Sequence, residues 1–209
     1  MNDKNKIKLF SLGNSHVGKT SYILRFTDDK YNEVNLPTTG IDLKTKRIKY
    51  NNKEYTIEFY DTAGQERYRA ISLNSIKSAD GIILMFDLTD QKSYDEISNW
   101  VENIKQIQEE DYPMILVGNK CDLEKERIIS NEEGIELSKK FNLQFFEVSN
   151  KTNKNIEESG NAIIKLIIER KQQKIKELTK DYEILENFEL DKEKSLMDIK
   201  DVHKKKCCF

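Results

Sequence analysis

No stretch of this sequence approaches the roughly 20 consecutive apolar residues that a membrane-crossing helix needs, so none is expected. Charge of one sign is also in short supply. Lysine and arginine number 35 against 37 acidic residues, a net charge of −2. That balance leaves no long-range field to draw the chain to nucleic acid, and no nucleic-acid partner is expected. The opening residues, Met1 to Lys6, are polar, so no signal peptide is expected. Cysteine is sparse: Cys121 stands alone, and Cys207 and Cys208 are adjacent. Neighbouring cysteines seldom bridge one another, and such usage suits a reducing, intracellular compartment. The chain is expected to be made in the cytosol.

A length of 209 residues with 37% hydrophobic content suits one compact domain plus an appendage. Apolar strand patterns alternate with helical ones as far as about residue 170. Ile7, Leu9, Phe10 and Leu12 make the first run. Leu43 to Tyr50 and Tyr55 to Phe59 follow, the latter with period two, and Asn51-Asn52 between them reads as a hairpin turn. Gly81 to Phe86 and Met114 to Val117 are continuous apolar runs, as expected of central strands buried on both faces. Leu143 to Val148 makes a sixth strand. Ser93-x-x-Glu96 reads as a capping box opening a helix with Ile97, Trp100, Val101, Ile104 and Ile107 on one face. Ser130-x-x-Glu133 opens another with Ile135, Leu137 and Phe141, and a last helix begins near Asn155 and carries Ile163, Ile164 and Ile167. This alternation predicts an α/β domain with a six-stranded, mostly parallel, doubly wound sheet flanked by helices. In such sheets ligands collect beyond the carboxyl ends of the strands.

The loops at those ends carry the chemistry. Gly13-Asn14-Ser15-His16-Val17-Gly18-Lys19-Thr20 lies between the first strand pattern and a helical one with Ile23, Leu24 and Phe26. Strand, glycine-bounded loop and helix together form a phosphate-binding arrangement: backbone N–H groups curl inward and a helix N-terminus adds partial positive charge. Lys19 then reaches the terminal phosphates, and the Thr20 hydroxyl is a ligand for Mg²⁺. Asp61-Thr62-Ala63-Gly64-Gln65 follows the third strand. Asp61 is placed to hold Mg²⁺ through water, the Gly64 N–H can approach a γ-phosphate, and Gln65 can orient an attacking water.

Asn119-Lys120-Cys121-Asp122 ends the fifth strand. A carboxylate at Asp122 accepts hydrogen bonds from guanine N1–H and the 2-amino group, whereas adenine would leave it unmatched. Lys120 can lay its stem along the base, and Ser149-Asn150-Lys151 closes the base site with backbone donors. A P-loop ATPase or kinase is the competing class, and the Asn119–Asp122 motif speaks against it.

At this point residues 6 to about 170 resemble a small GTPase of the Ras superfamily, a P-loop G domain, and within it the Rab family. The matching segments are GNSHVGKT, PTTGIDLK at 37–44, DTAGQERYR at 61–69, NKCD and SNK. The resemblance implies that Thr38 coordinates Mg²⁺ and senses the γ-phosphate, and that Tyr31 packs across the guanine ring. The nucleotide-binding set it implies is Gly13, Ser15, His16, Val17, Gly18, Lys19, Thr20, Ser21, Tyr31, Thr38, Gly64, Asn119, Lys120, Asp122, Ser149, Asn150 and Lys151. Gln65 and Lys19 would be catalytic, and Thr20, Thr38 and Asp61 would serve the metal. It further implies a cycle between GTP and GDP forms, in which Thr38 and Gly64 hold two switch loops in order until the γ-phosphate leaves. No arginine sits in these motifs where it would serve in cis, so turnover on the order of 10⁻⁴ s⁻¹ is expected, accelerated by an activating protein. Exchange factor, GDP dissociation inhibitor and effectors complete the implied partners. A Ras- or Rho-type signalling role, or a GTP-binding scaffold with negligible hydrolysis, are the other readings.

The match departs from the family in places. His16 stands where a small residue is usual, either perturbing phosphate contacts or simply facing solvent. Leu43, Tyr60 and Ile76 occupy positions where Rab proteins carry an effector-reading aromatic surface. Thr39 replaces an isoleucine, Ser75-Ile76-Lys77-Ser78-Ala79 departs from Tyr-Tyr-Arg-Gly-Ala, and Asn150 replaces the common alanine. From about Glu169 the chain is rich in lysine and glutamate, with no glycine or proline. Residues 171–209 are expected to form a largely mobile tail, although Ile175, Leu178, Tyr182 and Leu185 have helical spacing. The end, Lys204-Lys205-Lys206-Cys207-Cys208-Phe209, is not a Cys-a-a-X box. It resembles the doubly geranylgeranylated Rab terminus, and two chains beside three lysines would anchor firmly to an anionic leaflet. The implied location is the cytoplasmic face of an intracellular membrane, with a cytosolic pool.

Overall fold

The computed structural model describes residues 5–32, 41–62, 76–108 and 112–180. The chain divides into two units, Met1–Ile167 and Ile168–Phe209. Among the described residues the first unit holds six strands: β1 (Lys6–Leu12), β2 (Ile41–Tyr50), β3 (Lys53–Thr62), β4 (Gly81–Asp87), β5 (Met114–Asn119) and β6 (Gln144–Glu147). They form one sheet in the order β2-β3-β1-β4-β5-β6. Only the β2–β3 pair is antiparallel; the other neighbours run parallel, as the alternating pattern predicts. Asn51 and Asn52 turn the hairpin with φ of 48° and 61°. Two successive positive φ values match the right-handed strand twist, and asparagine tolerates them better than most residues.

Among the described residues of this unit the helices are α1 (Lys19–Asp28), α2 (Gln91–Asp95), α3 (Ile97–Lys105) and α4 (Asn131–Phe141), with residues 156–167 also helical (α5). Every residue of β4 and β5 is buried, which is why both read as unbroken apolar runs. One core packs Leu84, Phe86 and Leu116 with Ile97, Trp100, Val101 and Ile104 of α3. Elsewhere Phe26 of α1 lies 5.3 Å, centroid to centroid, from Phe59 of β3. Burial of each large apolar side chain contributes about 2 kcal/mol. Strand β2, by contrast, is exposed or half-buried throughout, and Lys44, Lys46, Arg47 and Lys49 stud it. Those charges protect a sheet edge from pairing with another chain.

Three expectations are corrected. Asp90, not Ser93, caps the helix after β4, its carboxylate accepting from the Lys92 N–H at 3.1 Å. The Ser93 hydroxyl is already engaged, accepting from Asp87 N at 3.0 Å and donating to Asp90 O at 2.8 Å. On α4 the reciprocal capping box of Ser130 and Glu133 is present, but Ile135 is 36% exposed and the buried residues are Gly134, Leu137 and Ser138. Lastly, the tail expected to be largely mobile from residue 171 is helical as far as residue 180, as are residues 168–170, and residues 181–209 lie outside the described residues. One i, i+4 side-chain pair supports this stretch, Gln173 Nε2 donating to Glu177 Oε1 at 3.1 Å, and the Thr179 hydroxyl donates back to Ile175 O at 2.9 Å. Ile175 and Leu178 on this helix are 63% and 69% exposed. Tyr182 and Leu185 lie outside the described residues.

Candidate functional site

The loops that follow β1, β4, β5 and β6 meet, beside the last residues of β3, at the carboxyl end of the sheet, where a doubly wound fold places its ligand. The loop from Gly13 to Gly18 leads directly into α1, so the first N–H groups of that helix, which have no intrahelical acceptor, open onto it. Gly13 and Gly18 hold φ of 141° and 99°, a region that side chains rarely adopt. A Cβ on Gly13 would also lie 2.1 Å from Met85 O. His16 takes φ of 64° without being glycine and is exposed. Ser15 is half-buried, Val17 is fully buried, and Ser21 is half-buried on α1.

Lys19 is buried, and its ammonium donates to Gly13 O at 3.0 Å and Asn14 O at 2.8 Å. Burial lowers its pKa to about 8, with Asp61 pulling the other way. A buried ammonium facing carbonyls is a group prepared for an anion. Thr20 Oγ1 donates to Asp61 Oδ2 at 2.6 Å, joining the start of α1 to the end of β3. A hydroxyl and a carboxylate brought together beside a phosphate-type loop are the oxygen donors a small hard cation such as Mg²⁺ prefers, so these residues fit that ion.

The loops after β5 and β6 are tied to the Gly13–Gly18 loop by side-chain amides. Asn119 Nδ2 donates to Val17 O at 2.8 Å, and Asn150 Nδ2 donates to Gly18 O at 2.9 Å. Lys120, with φ of 66°, forms an ion pair with Asp87 at 2.5 Å. Asp122 is half-buried beside them. Ser149 is fully buried, its hydroxyl accepting from Thr152 N at 3.0 Å. Behind the loops, Arg127 grips Glu147 with two bonds of 2.8 Å and 2.7 Å, and that guanidinium holds the Glu147 carboxyl below the usual carboxylate range. Of the remaining expected residues, Thr38, Gly64, Gln65, Cys207 and Cys208 lie outside the described residues.

Three contributors were missed by sequence reasoning. Arg25 of α1 donates to Asn150 O at 2.9 Å and Lys151 O at 3.1 Å, and its guanidinium carbon sits 5.6 Å from the centre of the Tyr31 ring. Asp87 ends β4 and also accepts from Thr89 N and Oγ1 at 2.9 Å and 2.8 Å. Its place at a strand's carboxyl end was a usable signal; Arg25 offered none. Trp100 Nε1 donates to Asn14 Oδ1 at 3.2 Å, joining α3 to the phosphate loop.

Comparison with known proteins agrees with this geometry. The Ras family matches residues 8–169 of the chain. Ras-related protein Rab-3C of Bos taurus is 40% identical over 163 residues, covering 78% of this chain and 72% of that protein. Ras-related protein Rab-3A of Homo sapiens is also 40% identical, with 78% and 74% covered. Ras-related protein Rab-13 of Canis lupus familiaris is 38% identical over 161 residues, covering 77% and 79%. The chain belongs to the Ras family of small GTPases, as a divergent member of its Rab group.

Proposed function

We propose that this chain is a GTP-operated switch that recruits effectors to an intracellular membrane in vesicle traffic and resets by hydrolysing GTP to GDP and phosphate. The observation that carries the reading is the convergence of the Gly13–Gly18 loop, the Thr20–Asp61 pair and the amide-tethered Asn119 and Asn150 at one end of the sheet. Lys19 would supply the terminal phosphates with positive charge, since a pKa near 8 leaves it mostly protonated at neutral pH. The N–H groups at the start of α1 would line the phosphates. Asp122 would accept from the guanine edge, with the Lys120 stem steadied by Asp87. Thr20 and Asp61, with Thr38, would hold Mg²⁺, which when bound neutralises phosphate charge. Gln65 would orient the attacking water, and Thr38 and Gly64 would register the γ-phosphate. Exchange, activating and GDP dissociation inhibitor proteins would set the cycle. The membrane anchor would be lipid on Cys207 and Cys208, so residues 6–170 form the working domain and 171–209 the tether.

Chromatography of the nucleotide that copurifies with the chain tests the base assignment: GDP or GTP is expected, and ATP would overturn it. Asp122→Ala should weaken GDP binding by about 3 kcal/mol, roughly 100-fold, because a charge-assisted pair is lost. An unchanged dissociation constant would remove Asp122 from the base site. Single-turnover GTP hydrolysis, with and without an activating protein, separates a switch from a scaffold that only binds.

A further inference from the structure

We infer that the Asn150 side chain is a positioning residue that fastens the guanine-side loop to the phosphate loop and thereby slows nucleotide release. The inference rests on the GTP/GDP-binding reading above and assigns a regulatory property to the same site. Asn150 is 4% exposed and is reached from three segments. Its side-chain amide donates to Gly18 O at 2.9 Å, its backbone N–H to Asn119 Oδ1 at 3.4 Å, and its backbone carbonyl accepts from Arg25 Nε at 2.9 Å.

The amide's orientation follows from chemistry. Gly18 O can only accept, so the nitrogen must face it, and Oδ1 is left buried without a hydrogen-bond partner among the described residues. A buried unpartnered carbonyl oxygen is costly. Alanine at 150 would avoid that cost, so the side chain's favourable contribution lies in its bond to Gly18. That bond does not rescue an unsatisfied group either, because Gly18 O already accepts from Tyr22 N at 2.9 Å as the first bond of α1. Its effect is to locate the loop.

The two asparagines act on consecutive carbonyls, Asn119 on Val17 and Asn150 on Gly18. They are packed against the same glycine: a Cβ on Gly18 would come within 2.3 Å of Asn119 Nδ2 and 2.7 Å of Asn150 Nδ2. In a planar trans peptide the carbonyl and the following N–H point in opposite directions. Drawing these carbonyls toward the base loops therefore aims the Gly18 and Lys19 N–H groups away from them. A nucleotide held at its base and its phosphates then meets two loops that must part together before it leaves. That coupling lowers the dissociation rate and leaves encounter unchanged.

The test uses the full chain loaded with fluorescent GDP and chased with excess unlabelled GDP, alongside association kinetics. Asn150→Ala should release GDP about fivefold faster, the effect of one net hydrogen bond, with its association rate unchanged. Asn150→Asp, which keeps the shape but loses the donor, should release at least as fast. Release from Asn150→Ala at the wild-type rate would overturn the inference, as would an affinity loss carried wholly by slower association. A wild-type chain that holds no GDP would instead remove the nucleotide reading, and this inference with it.

Discussion

Residues 13–20 are held from several directions, by Trp100 at Asn14, Asn119 at Val17, Asn150 at Gly18 and Asp61 at Thr20. Strand β2 in the same sheet is held by its ladder to β3 and by a bond from Lys46 Nζ to Phe26 O. The first region is fixed by buried and part-buried polar bonds between residues far apart in sequence. The second exposes Ile41 and Leu43 to solvent at 39% and 48%. A binding pocket gains from having its donors arranged before the ligand arrives. An edge strand that carries several cations stays open to solvent without inviting another strand to pair with it. The sheet thus serves as a rigid floor at one place and an accessible margin at another.

The sharpest way to test that division is to cut into the floor. Leu84→Ala, in the fully buried β4, should cost about 3 kcal/mol of stability from lost burial and the cavity left behind, measured by urea unfolding. A loss below about 1 kcal/mol would mean that the core repacks freely and is not the rigid element. Next in size is the pH response of the phosphate loop. If Lys19 meets the phosphates as proposed, binding needs its ammonium, whose pKa in the free protein is about 8. Below that value the proton is already in place and GDP affinity should be level. Above it, binding must take up a proton, and affinity should fall toward tenfold per pH unit, about 1.4 kcal/mol. Calorimetry from pH 7 to 9.5 would show it, and a flat profile would separate Lys19 from the phosphates. The smallest effect belongs to the margin. Leu43→Ala should change stability by no more than about 0.5 kcal/mol, since that side chain is already in water. A larger loss would show that β2 is packed more like the interior than its exposure indicates.

Much of the fold was legible because its signals are local. The buried runs of β4 and β5, the Asn51-Asn52 turn and the Ser130 capping box each depend on neighbours in sequence. The exceptions depend on distant ones. Whether Asp90 or Ser93 caps α2 is decided by the end of β4, which occupies the Ser93 hydroxyl. The apolar spacing of α4 does not reveal that Ile135 faces solvent while Gly134 is covered. In the site, the glycine-bounded loop and the Asn119–Asp122 motif are short local patterns, and the structure brings their residues to one end of the sheet. The bonds from Arg25 to Asn150 and from Asn150 to Gly18 join residues 125 and 132 positions apart, a relation no short window contains.

The chain has a single tryptophan, and its indole N–H is fastened to Asn14 in the phosphate loop. Its ultraviolet emission therefore originates beside the place where nucleotide is expected to land, with no competing indole elsewhere. Ligand arrival can be followed by the intrinsic fluorescence of the unlabelled protein, and Trp100→Phe supplies the dark control.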